Sequence, residues 1–203
     1  DKKKSSEGAM KMILSSAFSS GILLFGISLI YGSTGSISLP EIQVRLDGSP
    51  LQLLAFIFFF TAFAFKLSIV PFHLWTADVY EGSPIAVTSF LSVISKGAVA
   101  FIFMTMLFRV FNSLHEVWHL LMIILSITTM VIGNLFALRQ QNIKRFLAFS
   151  SIAQVGFILL ACLGQALGPN YLLLVMLLLS FSGLGFLYYR KSHRKMVIAK
   201  TVN

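Results

Sequence analysis

The sequence predicts an all-α, polytopic transmembrane helix bundle of about six spans, one of them broken at a proline. Three observations lead there. The 203 residues are 57% hydrophobic and only 11% charged, with a mean hydropathy of +0.86, whereas soluble domains carry about 25% charged residues. Six apolar runs reach the roughly 20 residues that cross about 30 Å of hydrocarbon. The net charge of +9 comes from basic residues at the ends of these runs. That is a topology signal and not a nucleic-acid-binding stripe.

Residues 1–8 form a basic flank, residues 9–164 a five-span module, and residues 165–203 a sixth span with a basic tail. The first span runs from Ala9 to Tyr31, where Gly21, Gly26 and several serines suit close packing in lipid. Gly32 to Pro50 is a polar turn region with Glu41, Arg45 and Asp47. The second span covers Leu51 to Val70, and Pro71 breaks it. Proline has no N–H and crowds the carbonyl four residues earlier, that of Leu67, leaving it as a local partner beside Lys66. Phe72 to Ser83 reads as a semi-polar connection. Ser83-Pro84 then starts a third span, serine as N-cap and proline at the first helical position, running to Phe111. The fourth span covers Glu116 to Leu138, the fifth Phe146 to Leu163 and the sixth Tyr171 to Tyr189.

Six spans put both ends of the chain on one side. Twelve Lys and Arg residues fall there, Arg45 and Arg109 fall on the other, and Lys66 and Lys96 lie within spans. The bias places both termini on the cytoplasmic or matrix side. The chain begins at Asp1 and not at Met, the expectation for a piece of something longer.

Lys66 and Lys96 are the candidates for proton transfer, because lysine at a helix centre in lipid costs at least about 2.5 kcal/mol. Lys66, near a helix end, has a bland reading: its stem lies in lipid and its ammonium at the interface. Lys96 has twelve residues of its span before it and about fifteen after, roughly 18 and 22 Å of helix, too far to reach water easily. Desolvation at such depth disfavours the ammonium and suits the group to releasing a proton. Ser89, Ser92 and Lys96 share a helical face, with Thr88 and Ser95 on neighbouring rows, so hydroxyls can hold water up to the lysine. The alternative is that these serines and Gly97 merely pack helices. On the fifth span Ser150, Ser151 and Gln154 are polar, and Ser150 and Gln154 stand at i, i+4, either lining the same water path or bonding between helices. Thr128, Thr129 and Asn134 are further polar residues on the fourth. His73, Asp78 and Glu81 read as solvated or capping residues, with a proton entrance as the functional alternative. No Asp or Glu lies in the interior of any span, so a carboxylate partner for the lysines must come from a loop or from outside the chain. No Cys/His metal pattern, glycine-rich phosphate loop or nucleophile with its base is found. The lone Cys162 cannot form an internal disulfide.

FKLSIVPFHLWTADVYEGSPIAVTSFLSVISK and GNLFALRQQNIKRFLAFSSIAQVGF resemble, in order, the signature stretches of the antiporter-like membrane subunits of respiratory complex I (NADH:quinone oxidoreductase), the N-type (subunit 2) group above all. A weaker likeness around EGAMKMILSSAFSSGILLFGISLIYG extends the match to about Glu7–Gly164. The resemblance implies two inverted five-helix repeats, each with a broken helix at a key lysine. Lys66 matches the lysine on the first broken helix and Lys96 the one on the helix after it. The family's carboxylate partner lies on a helix that would precede Asp1. There are departures. The family runs to about fourteen helices, its second broken helix is not seen here, and likeness ends near Leu167. Gln154 stands where the N-type subunit often has histidine.

The function so implied is proton translocation through a lysine-centred half-channel, driven by redox chemistry elsewhere in the complex. Alternatives are a subunit of a cation/proton antiporter or membrane-bound hydrogenase, or a non-pumping structural fragment. No cofactor is expected in this chain; flavin, iron–sulfur clusters and quinone belong elsewhere in the complex. Expected partners are the lipid bilayer, other membrane subunits and a carboxylate-bearing helix, with no nucleic acid. A bacterial plasma membrane is favoured over the mitochondrial inner membrane.

Overall fold

The computed structural model describes residues 2–163. The expected sixth span and tail lie outside them. Eight α-helices follow in order: α1 Lys2–Thr34, α2 Leu39–Arg45, α3 Pro50–Leu67, α4 Leu74–Gly82, α5 Ile85–Ser89, α6 Lys96–Arg109, α7 His115–Leu138 and α8 Ile143–Leu163. A π-helical segment, Phe90–Ser95, joins α5 to α6, and a 3-10 turn, Phe111–Leu114, leads into α7. Among the described residues, five stretches are long and apolar enough to cross a membrane. Residues 2–8 belong to α1 itself, and the turn region after it holds the short helix α2.

Helix α1 is the strut along which the broken span lies. Gly26 meets the backbone of Ala55 and Phe59, Phe18 packs edge-on against Phe65, Gly8 faces Asp78, and Gly82 faces the carbonyl of Lys4. Partner numbers rise as α1 numbers fall, so α3 and α4 run antiparallel to α1 as two halves of one crossing. Gly26 packs as expected, whereas Gly21 faces open space. Helices α7 and α8 are the other tight pair. A Cβ on Gly133 would come within 2.9 Å of the Ala153 nitrogen, and one on Gly156 within 2.9 Å of the Ser126 carbonyl. Only glycine permits backbones this close, and close approach drives helix association where lipid removes the hydrophobic incentive.

The core nearer the C-terminus of α1 is aromatic. Phe63 stacks on Phe103 at 5.1 Å, Phe59 and Phe56 lie 5.0 and 5.1 Å from Phe111, and buried Trp118 donates its indole N–H to the Phe111 carbonyl. At that end Arg45 donates to the Thr34 carbonyl at 2.6 Å, closing the C-terminus of α1, where a cation also suits the helix dipole. Ser83 does not cap α5 as expected. Its hydroxyl donates back to the Val79 carbonyl at 2.6 Å, closing α4, and the next helix begins at Ile85.

Candidate functional site

The chain leaves the helix at Ser68, three residues before Pro71. Ser68 is left-handed (φ 64°, ψ 37°), with its N–H on the Phe65 carbonyl. Proline cannot donate to a ladder, and the turn ends α3 before that donor is needed. In lipid the released backbone groups need new partners. Thr129 on α7 accepts from the Val70 N–H at 3.1 Å, Trp75 donates to the Phe65 carbonyl at 3.2 Å, and Thr76 donates to the Ser68 hydroxyl at 2.6 Å. Phe72 to Ser83 is therefore mostly not a connection: the helix resumes as α4, with Thr76, Ala77, Val79 and Tyr80 buried.

Lys66 is half-buried in a cavity of about 190 Å³ with Ser15, Ser16 and Ser19 of α1, Trp75 and Ser95. The expected contact with the Leu67 carbonyl is not made, and no hydrogen bond or ion pair joins its ammonium to a described residue.

Lys96 is in a different position. It is 5% exposed, its Nζ donates to the Ser151 hydroxyl at 3.0 Å, and it sits 5.7 Å over the Tyr80 ring. Ser151 in turn donates to the Ala148 carbonyl. The amine opens onto a cavity of about 590 Å³ between the α5–α6 span and α8. Ser89, Ser92, Ser150 and Gln154 all line it, so the four candidate path residues meet in one space with the lysine. On the first wall the lining residues pair as Thr88/Ser89, Ser92/Val93 and Lys96/Gly97. That step of four exceeds the α-helical 3.6, as the wider i→i+5 turn of the π segment allows, and π turns are frequent at functional sites. Gly97 packs nothing, since a Cβ there would meet open space. From Lys144 to Ile158 the cavity follows α8 for roughly 21 Å.

The three entrance candidates are not brought together. His73 is 5% exposed, wedged against Phe136 and Phe149, with neither ring nitrogen hydrogen-bonded. It is not a solvated loop residue, because Phe136 of α7 and Phe149 of α8 cover its ring. Asp78 and Glu81 join an ionic cluster at the end of the bundle nearest the N-terminus. Lys11 and Arg145 reach Asp78 at 2.5 and 2.9 Å, and Lys4 and Arg145 reach Glu81 at 2.9 Å each. Lys4, then Arg145, hold the Glu81 carboxyl below the usual carboxylate range. The cluster ties α4 to α1 and α8, and neither carboxylate lines the Lys96 cavity.

Sequence reasoning overlooks three features. Ser151, and not Ser150, takes the Lys96 hydrogen bond. Thr129 is the residue that satisfies the break. HEVWH, residues 115–119, has the spacing of a two-histidine metal motif on a helix, yet the two rings stack at 5.0 Å. Among the described residues no three His, Cys, Asp or Glu converge as metal ligands.

The family model described as NADH:quinone oxidoreductase/Mrp antiporter, TM matches residues 1–202. The chain belongs to this family. It is 52% identical over 182 residues to the NADH-quinone oxidoreductase subunit N of Azobacteroides pseudotrichonymphae genomovar. CFP2, covering 89% of this chain and 38% of that protein. Among solved structures it is similar to a chain of the Mrp complex from Dietzia sp. DQ12-45-1b (TM-score 0.72, 26% identity), covering 78% of this chain and 29% of that one. It is also similar to a chain of respiratory complex I from Thermus thermophilus with bound aureothin (TM-score 0.63, 35% identity), covering 77% and 34%. The chain thus spans little more than a third of the curated relative's length. It is a multi-pass integral membrane protein.

Proposed function

We propose that this chain is the central part of an N-type, proton-translocating membrane subunit of NADH:quinone oxidoreductase. The observation that carries the reading is a buried base facing a path: Lys96, bonded to one hydroxyl, at the inner end of a cavity lined by hydroxyls and an amide. Water held along Ser89, Ser92, Ser150 and Gln154 delivers a proton to the Lys96 amine and removes it later. Redox chemistry, with its flavin, iron–sulfur clusters and quinone, belongs to other subunits of the complex.

Lys66 serves proton transfer as the charged half of an ion pair, whose partner in this reading is a carboxylate on a helix outside residues 2–163. Carbodiimide coupling followed by mass spectrometry tests that pairing, since it joins an amine only to a carboxylate in contact with it. A Lys66 that stays uncoupled in the intact complex removes the partner from the scheme. Both termini face the cytoplasm of a bacterium. The clustering of Lys4, Lys11, Lys144 and Arg145 at one end of the bundle supports that side, and the bacterial relative supports the organism type.

The deciding experiment replaces Lys96 with methionine in the full-length subunit within the assembled complex. Proton yield per electron from NADH should fall while the complex remains assembled. An unchanged yield would leave the chain a structural element. The likeness to the Mrp complex favours a second reading, a cation/proton antiporter subunit. Purification separates the two, because only the first travels with flavin and iron–sulfur proteins.

A further inference from the structure

The Lys96 cavity has a second lysine at its other end. Lys144, in the first turn of α8, lines the same space about 21 Å along the helix from Ile158, beside Ile85 at the start of α5. Its ammonium is not loose. It donates to the Ser83 carbonyl at 2.8 Å and the Glu81 carbonyl at 3.5 Å, the exposed C-terminal end of α4. Its backbone N–H is in turn held by the Asn142 side chain at 2.9 Å. The nearest carboxylate in sequence to those carbonyls, that of Glu81, is directed away onto Lys4, Arg145 and Asn142. Among the described residues, Lys144 and Lys96 are the only Lys, Arg, Asp or Glu lining the cavity.

We propose that Lys144 is a specificity-determining residue, a fixed ammonium at the surface end that keeps alkali cations out of the Lys96 cavity. This rests on the proton reading above and deepens it. A sodium ion entering must bring its whole charge past this fixed ammonium into a space of low dielectric. Once inside it finds neutral hydroxyls and an amide but no carboxylate, whereas hard cations are held by oxygen sets that include carboxylates. A proton meets a different situation. It passes along hydrogen-bonded water and ends on the neutral Lys96 amine, forming an N–H bond as an O–H bond of the last water breaks and that water takes a proton from the next. The cavity thus offers a binding place for a proton and none for a metal cation. Electrostatic barriers of this kind set selectivity in other membrane pores.

The test uses the full-length protein in its complex, in inverted membrane vesicles energised with NADH, with sodium chloride replacing choline chloride. In the wild type the proton gradient should not respond to sodium. Lys144→Gln keeps a donor for the Ser83 carbonyl but removes the charge, and should make the gradient fall at least twofold as sodium replaces choline. Lys144→Arg should behave as wild type. A merely structural cap would lower assembly equally at every sodium concentration. Leu147→Glu leaves Lys144 in place but adds a carboxylate at the mouth, and should also confer sodium sensitivity; it decides alone if Lys144→Gln does not assemble. Sodium responses identical to wild type in the assembled variants overturn the proposal. A Lys96→Met complex that still builds a full gradient overturns the proton reading instead, whatever the sodium curves show.

Discussion

Lys96 and Lys66 stand on successive spans, and their surroundings differ in one respect that matters. Around Lys96 the described residues complete the site: a hydroxyl accepts from the ammonium, an aromatic ring lies beneath it, and polar side chains continue away from it. Around Lys66 they supply serines and a tryptophan but no bonded partner. A half-buried ammonium without a counter-group is costly, so in the proposed scheme the first site is self-contained and the second is half of a pair. In that scheme the two lysines do different work, one as a base reached by water and the other as one member of an ion pair.

Arginine substitutions test that contrast most strongly. A guanidinium keeps its proton at any accessible pH. Lys96→Arg should therefore cost about 10²-fold in proton transfer, the usual scale of a lost acid–base group. Lys66→Arg preserves an ion pair and should cost far less, as read by the rate of gradient formation in vesicles. Equal losses would erase the distinction. Gly156→Leu pushes α8, one wall of the Lys96 cavity, away from Met130 and Ser126. Overpacking of this kind costs about 1–3 kcal/mol, visible as a lower thermal midpoint in detergent, and Lys66 should be untouched. Thr129→Val acts on the Lys66 side by stranding the Val70 N–H, at about 1–2 kcal/mol. Thr129→Ser should restore it.

The smallest effect concerns pH. The Glu81 carboxyl is held below its ordinary 4.5, by Lys4 first and Arg145 second. Its contribution is therefore full above about pH 4.5 and is lost as pH falls through the lower native value. Pairs this close to water are worth about 1 kcal/mol or less. Glu81→Gln should lower stability by about that amount at neutral pH, leave the most acid end nearly unchanged, and so flatten the acid limb of a stability–pH curve.

Much of this was legible in the chain. The five described spans, the depth of Lys96 and the Ser89–Ser92–Lys96 face follow from hydropathy and helical spacing, which are local properties. What was not legible depends on neighbours far away in sequence. Whether Ser150 or Ser151 meets Lys96 turns on the rotation of α8, and hydropathy does not specify that. The end of α3 at Ser68 depends on Thr129, sixty-one residues on, offering a hydroxyl to the freed backbone. Asp78 and Glu81 looked solvated because their partners, Lys4, Lys11 and Arg145, come from two other helices. The apolar run around His73 hid a resumed helix, since a proline followed by mixed polarity reads the same in a loop and in a half-helix.

The glycine contacts between α7 and α8 have a mechanical consequence for the space beside Lys96. With their main chains touching at Gly133 and Gly156, these two helices act as one stiff slab. Facing it, the π segment buries none of its six residues among those described. Any widening or narrowing of the void must therefore be taken up on the Phe90–Ser95 side, so the room for water beside the amine is governed by the compliant wall alone.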